Sequence, residues 1–507
     1  MKVSPKCPHI ADCLALILSM AAFVITAFIG ERIYEGIPHI EDEIAYVWQA
    51  KAIAGGNLSL PTPECPKCFL VPFVVDANGW RSSKYPPAWP VVLAFGILIG
   101  MRSLLPPLLA SLTAWFIYRL GKKILDESTA LMGTFLTISS PFFLMNASSL
   151  LSHNWCLLLS LFLAISWLDV FDEKSSIPRW ITMPVAGLSI GLMALTRPLT
   201  ALGITFPFFV HGIILLLIHK RQNKIRVLLI GIIAGLISML FFVWQFAVTG
   251  DPFTNPYTLW WPYDRMGFGP GVGLQENGFS LYAGWVNTRF SLWVGWHDFL
   301  GWPFISWLFL PFGLLAIRHN HRAWLISSTF PSLVFAYLFY WIGAWLLGPR
   351  YYYESIHCLM LLTAAGIRWL AGKFSRSFLS ALRWIIVTML VSLLVATNIL
   401  IYLPIRLGGL YGLYGAYRAR LEPFLTAEAQ KLTPALIIVH PQEDWIEYGT
   451  LLELSNPYHN TPFVFIYNRG GENNQRVIQK FTERSVFHYY PDEPYRFYTA
   501  PRPQPDS

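Results

Sequence analysis

The chain has 507 residues, 54% of them hydrophobic and only 13% charged, about half the charged fraction of an ordinary soluble domain. A mean hydropathy of +0.46 excludes water as the main solvent for such a surface. The net charge of +8 does not mark a nucleic-acid partner, because Lys and Arg fall mainly between apolar runs, where they report topology.

The first apolar run, 10–30, follows Lys2 and Lys6. It is too long for a signal-peptide core and lacks a small-x-small cleavage site before Glu31, so it reads as a retained spanning helix. Crossing a hydrocarbon core of about 30 Å takes roughly 20 apolar residues. Further runs of that kind lie near 103–120, 128–146, 151–170, 180–196, 198–218, 226–248, 302–317, 323–345, 353–371 and 384–403, which predicts a polytopic α-helical membrane protein of about eleven spans. Basic residues fill alternate loops: Lys122 and Lys123, Lys174 and Arg179, Lys220 through Arg226, Arg318 and Arg322, Lys373 and Arg376. Those loops and the N-terminus are expected in the cytoplasm, and the C-terminus outside. Ala88 to Gly100 is too short to span and reads as an interfacial or re-entrant helix.

Three outward segments stand out: 31–102, 249–301 and everything after 404. The last alternates β-rich runs at 435–439, 463–467 and 485–490 with a short helix at 473–484. It predicts a small αβ extracytoplasmic domain, 405–507, following a membrane domain, 1–404, with a disordered tail from Pro501. Cys13, Cys156 and Cys358 read as small core hydrophobes, and Cys7 lies near the terminus. Cys65-Pro-Lys-Cys68 predicts a disulfide outside the cytoplasm, with half of a zinc site as the second reading.

The first outer loop opens on Glu41-Asp42-Glu43 ahead of an amphipathic stretch. The plain account is a set of acids favoured by a helix dipole; the chemical one is a carboxylate that takes a proton from an acceptor hydroxyl beside a cation for a leaving phosphate. Lys84, just before Tyr85-Pro86-Pro87, is such a cation, though a lone Lys at a membrane border also serves as an anchor. In Gly348-Pro349-Arg350-Tyr351 the Arg suits a phosphate and the tyrosine a polar ligand, against an aromatic belt as the plain account. Trp260, Trp261 and Tyr263 suit stacking on a sugar, while Arg265 is either a second phosphate ligand or the local partner of Asp264. Arg197 reads as a snorkelling residue and His153 as a structural hydrogen-bonder.

One span, an outer loop opening on Asp42-Glu43 and closing on Lys84 and a proline pair, an apolar half-helix, then Arg102-Ser-Leu-Leu-Pro-Pro and a span ending Arg119-Leu-Gly-Lys-Lys123: this order resembles the polyprenyl-phosphate-dependent glycosyltransferases of the GT-C superfamily, the group of protein O-mannosyltransferases and aminoarabinose lipid A transferases. The likeness is clearest over residues 1–200. It implies a GT-C-like membrane domain and inverting sugar transfer from a polyprenyl-phosphate donor to a lipid, glycan or protein hydroxyl at the outer face. Asp42 would be the base with Glu43 as its neighbour, Lys84, Arg350, Arg265 and Tyr351 would hold the donor phosphate, and Tyr85, Trp260, Trp261 and Tyr263 would meet sugar or acceptor. The chain departs from the pattern where Tyr85 stands between Lys84 and the prolines, and at Cys65-Cys68. No glycine-rich phosphate loop is present and no metal cage or other cofactor site is indicated. The competing class is a transporter or flippase of lipid-linked sugars, which predicts charges deep in the spans.

Overall fold

The computed structural model describes residues 10–218, 220–372 and 377–503. Lys2, Lys6, Cys7, Lys373, Arg376 and the last four residues of the expected tail lie outside the described residues. The chain forms two compact units, one from residues up to Ile29, Leu104–Phe241 and Tyr263–Gly408, the other from Gly30–Ser103, Phe242–Pro262 and Gly409 onward.

The first unit is helical. Among the described residues six helices are long and apolar enough to cross a membrane, at Ile10–Arg32 (α1), Arg102–Ile124, His153–Phe171, Pro198–Ile218, Arg221–Thr249 and the stretch opening at Phe378. A pair bent by 65°, Glu127–Ser139 with Pro141–Ala147, makes a seventh if it is one span. The expectation of eleven is therefore corrected. The four runs that fall short yield Arg179–Ala194, Leu310–Ala316, His321–Ser327 with Thr329–Tyr337, and Ile356–Ala371, none longer than 16 residues. At 1.5 Å per residue that is about 24 Å, short of the hydrocarbon core. Composition misleads most at Ile356–Ala371, which is buried at every position from Ile356 to Ile367: its apolar residues face protein on all sides. By contrast Phe378–Thr397 buries none of its residues, and α1 exposes Ile10, Met20, Val24 and Phe28, surfaces that suit lipid. The inner face of α1 is a stripe of Ala15, Ser19, Ala22 and Thr26, small residues that allow close helix approach.

In the second unit, α2 (Glu41–Ala54) is followed by a three-stranded antiparallel sheet of β1 (Leu60–Pro61), β2 (Val74–Ala77) and β3 (Trp80–Ser83), in the order β1-β3-β2, and then by the short apolar α3 (Ala88–Leu98). β2 and β3 are joined by Asn78-Gly79, both with positive φ, the two-residue turn whose twist matches the strands. Nearer the C-terminus, β4 (Ala435–Val439), β5 (Phe463–Tyr467), β6 (Ser485–Tyr489) and β7 (Phe497–Tyr498) pair in the order β5-β4-β6-β7, with β4 parallel to both β5 and β6. β4, β5 and β6 lie within a residue of the expected runs, and β7 was not expected; β4 and β5 are unbroken apolar runs because a parallel strand covered on both faces needs one. Alternate residues serve the two faces. Ala435, Ile437 and Val439 pack with Ile37, Phe424 and Tyr448, whereas Leu436 and Ile438 pack with Cys65, Cys68, Phe69 and Val477. The segment between α1 and α3 thus supplies part of the core on either side of the sheet.

Candidate functional site

The acids that open α2 have separate fates. Glu43 is buried and its Oε2 accepts from the backbone N–H groups of His39 (2.8 Å) and Ile40 (3.3 Å), tying down the donors a helix start leaves unmet. Asp42 is half-buried, and its Oδ1 accepts from the phenol of Tyr85 at 2.5 Å. Burial first and neighbouring Asp42 second hold the Glu41 carboxyl above its usual range, with Lys84 acting in the opposite sense.

A single face of α2 sets this geometry. Asp42, Tyr46 and Gln49 follow at i, i+4 and i+7. Tyr46 packs on the Tyr85 ring with centroids 4.7 Å apart. Gln49 Oε1 accepts from the Ser83 N–H (2.8 Å) and the Ser82 hydroxyl (3.1 Å), while its amide nitrogen donates to the Leu58 carbonyl (2.7 Å). The end of β3 is therefore docked on α2, and the next residues, Lys84 and Tyr85, are delivered beside Asp42.

Lys84 is buried in an aromatic cage. Its Nζ lies 3.9 Å from the ring centroid of Phe73, 4.7 Å from Trp261, 5.0 Å from Tyr257 and 5.4 Å from Tyr85, all inside cation–π range. Phe73 has a φ of 58°, a backbone setting rare for a bulky residue, and its carbonyl accepts the Lys84 N–H at 2.8 Å. Trp260 completes the wall edge-on to Phe73 at 5.6 Å. The loop behind the cage is braced by Arg81, which pairs with Asp76 through two 2.8 Å contacts and donates to the carbonyls of Phe69 and Pro66. Cys65 and Cys68 are joined by a disulfide.

The first unit holds a cluster of its own. Glu354, fully buried, lies 3.0 Å from His153 Nδ1 and 3.6 Å from Arg197 Nε. Arg197 also donates to the Tyr337 hydroxyl at 3.1 Å, so its side chain is bound into protein and not snorkelling. Tyr337 stacks on Tyr351 at 4.7 Å, and the guanidinium carbons of Arg197 and Arg350 lie 5.5 and 5.7 Å from the Tyr351 ring. Asp264 accepts from the Tyr340 hydroxyl and the Trp341 indole, each at 3.1 Å; Arg265 is exposed, and Tyr263 packs edge-on to Trp341.

Of the residues expected at the site, Asp42, Glu43, Lys84, Tyr85, Trp260 and Trp261 belong to the second unit, and Tyr263, Arg265, Arg350 and Tyr351 to the first. Phe73, Tyr257, Gln49 and Glu354 were missed. The signal available for Glu354 was a carboxylate beside three tyrosines after Gly-Pro-Arg; Phe73 offered none, since its role depends on a left-handed turn. Among the described residues no group of three or more His, Cys, Asp or Glu is arranged to hold a metal ion.

Residues 84–246 match the family model of dolichyl-phosphate-mannose-protein mannosyltransferases, a segment that starts at Lys84 and leaves Asp42 upstream. No curated protein sequence matches the chain. Among solved structures, ArnT from Cupriavidus metallidurans bound to undecaprenyl phosphate superposes with a TM-score of 0.59 at 13% identity, covering 93% of this chain and 89% of that one. Its apo state gives 0.58 at 13% identity, with 93% and 88% covered. The apo oligosaccharyltransferase of Archaeoglobus fulgidus gives 0.49 at 12% identity, with 87% and 65% covered. The matched segment covers about a third of the chain, and at 13% identity the likeness to ArnT shows a shared fold.

Proposed function

We propose that the chain transfers a sugar, with inversion, from a polyprenyl-phosphate donor to a hydroxyl of a lipid, glycan or protein acceptor at the outer face of a membrane. The observation that carries this reading is the placement of one carboxylate, Asp42, and one caged cation, Lys84, on neighbouring elements of the same unit. The acceptor oxygen bonds to the anomeric carbon while the bond from that carbon to the phosphate oxygen breaks, and its electron pair leaves with the phosphate. Asp42 takes the hydroxyl proton, and Lys84 stabilises the departing phosphate. On the first unit, Arg350, Arg265 and Tyr351 are proposed as ligands of the lipid phosphate. Trp260, Trp261 and Tyr263 are proposed as sugar or acceptor contacts.

The ArnT structure was solved with undecaprenyl phosphate, which supports a carrier lipid of that kind here. The N-terminus is assigned to the cytoplasm and the αβ segment after 404 to the outside, a sidedness supported by the basic loops. The test is full-length protein in nanodiscs with a panel of radiolabelled undecaprenyl-phosphate sugars and a membrane extract as acceptor, run beside Asp42→Asn. Label moved by the native protein and not by the variant supports the assignment. Saturable donor binding with no transfer by either protein replaces it with a carrier of lipid-linked sugars.

A further inference from the structure

We propose that the C-terminal αβ segment carries a second ligand site, a cleft at the carboxyl ends of β4, β5 and β6 that binds a neutral saccharide through amide groups and a histidine pair. Among the described residues it shares no wall with the cage of Lys84, and the inference stands whether or not Asp42 is the base.

The topology makes the cleft. β4 is parallel to β5 and β6, so His440, Asn468 and Tyr490 follow their strands at one end of the sheet. The chain leaves β4 towards Tyr448 and Leu451 on one face of the sheet, and leaves β5 towards Val477 on the other. Connections that part in this way open a crevice between neighbouring strands, where ligands of parallel sheets are usually held. Here the crevice measures about 950 Å³, within the range of small-ligand sites. Gly470, with a φ of 90°, and Gly471 turn the chain from β5 into the helix Gly471–Lys480. Both line the cleft, and a Cβ added at either meets no atom within 4 Å, so a ligand can approach the backbone closely.

One hydrogen-bonded chain sets what the cleft presents. Asn468 Oδ1 accepts from the Gly470 N–H (3.2 Å) and the Asn474 amide (2.8 Å). Asn468 Nδ2 must then donate to His440 Nδ1 (2.9 Å), which puts the His440 proton on Nε2. That proton is given to His488 Nδ1 (2.9 Å), so the His488 proton sits on Nε2. His488 is 9% exposed and lines the cleft, and among the described residues its Nε2 has no partner. Burial lowers both imidazoles, and for His440 neighbouring His488 and Arg502 add to the effect, in keeping with two neutral rings.

The rest of the wall favours a neutral ligand. Arg502, the one described lining residue with a fixed positive charge, is held by Asp492 at 2.9 to 3.0 Å and by Glu493 at 2.7 Å. An anion would meet Asp492 on that wall and Glu472 in the first turn of the helix. A sugar hydroxyl both donates and accepts, and so do the amides of Gln442 and Gln475 beside the His488 N–H.

The test is thermophoresis of full-length protein in nanodiscs, titrated with neutral trisaccharides of mannose, glucose, galactose and arabinose, and with inorganic phosphate as the anion. At least one trisaccharide is expected to bind saturably. His488→Asn keeps an acceptor for His440 but removes the Nε2 donor, and should weaken that binding about tenfold. Gly471→Leu places a side chain in open space and should weaken it further with the melting temperature kept, which decides the matter if His488→Asn does not fold. Asp42→Asn should bind as the native protein does. The proposal is overturned if no trisaccharide binds, or if native protein, His488→Asn and Gly471→Leu bind alike. Phosphate binding that Gly471→Leu removes would make this an anion site instead, and loss of sugar binding in Asp42→Asn would move the saccharide to the transfer centre; either result overturns it.

Discussion

The surroundings of Lys84 and those of Arg197 solve the same problem, a cation inside protein, by different chemistry. Lys84 is enclosed by four aromatic rings with the Glu41 carboxyl within electrostatic reach, and Arg197 leans on a carboxylate, Glu354, that His153 also holds. Ring faces attract a cation without fixing its direction, at about 0.5–2 kcal/mol each. A buried charge pair is directional, and losing one partner strands the other at a cost of about 3–5 kcal/mol. On the proposed function the cage surrounds a lysine that meets the donor phosphate, and the charge pair suits a joint that must not move. Damage to the first should therefore appear in turnover and damage to the second in folding.

The sharpest challenge to that contrast is Asp42→Asn. It should lower transfer about 10²- to 10⁴-fold with the melting temperature of the detergent-solubilised protein unchanged. An equal loss of thermal stability would make the Asp42 region a joint too. Next in size, Glu354→Ala should cost about 3–5 kcal/mol of stability, read as a large drop in melting temperature, while the protein that remains folded keeps its turnover number. A stable Glu354→Ala protein that has lost transfer would reverse the two roles. Trp261→Leu removes one wall of the cage and should raise the donor KM about tenfold with little change in melting temperature.

The smallest effect concerns pH. Burial, and for His440 neighbouring His488 as well, brings the imidazoles of His440 and His459 down to about 4. The unfolded chain then binds more protons than the folded one between about 4 and 6.5, so stability should fall as pH drops through that window and level off below it. The expected change is a decline of a few degrees in melting temperature. A flat profile would mean that these rings take up protons in the folded chain as readily as in the unfolded one.

How much was legible in advance follows the range of the forces involved. The C-terminal strands could be read because each is a local apolar run bounded by turn residues. Asp42 and Lys84 stood out because acids at a helix start and a cation before two prolines are local patterns. The cage was hidden, since Phe73 lies far along the chain from Tyr257 and Trp261 and meets them through a hairpin docked on Gln49. The span count erred for a related reason. Hydropathy measures what a side chain avoids, not whether lipid or protein replaces the water, and the helix Ile356–Ala371 is covered by protein from residue 356 to 367. Tyr85, expected against sugar or acceptor, is turned towards Asp42, a pairing that only the i, i+4, i+7 face of α2 reveals.

The sheet formed by β4, β5 and β6 takes part of its core from Ile37, Cys65, Cys68 and Phe69, and in return the backbone carbonyls of Leu452, Glu453 and Ser455 hold the ammonium of Lys51 on α2. In ribosomal order these partners are made far apart, the segment between α1 and α3 early and the sheet late. The segment that bears Asp42 and Lys84 therefore completes its packing only after β4, β5 and β6 have been made. A chain truncated before β4 is expected to leave Ile37, Cys65, Cys68 and Phe69 without the partners that cover them.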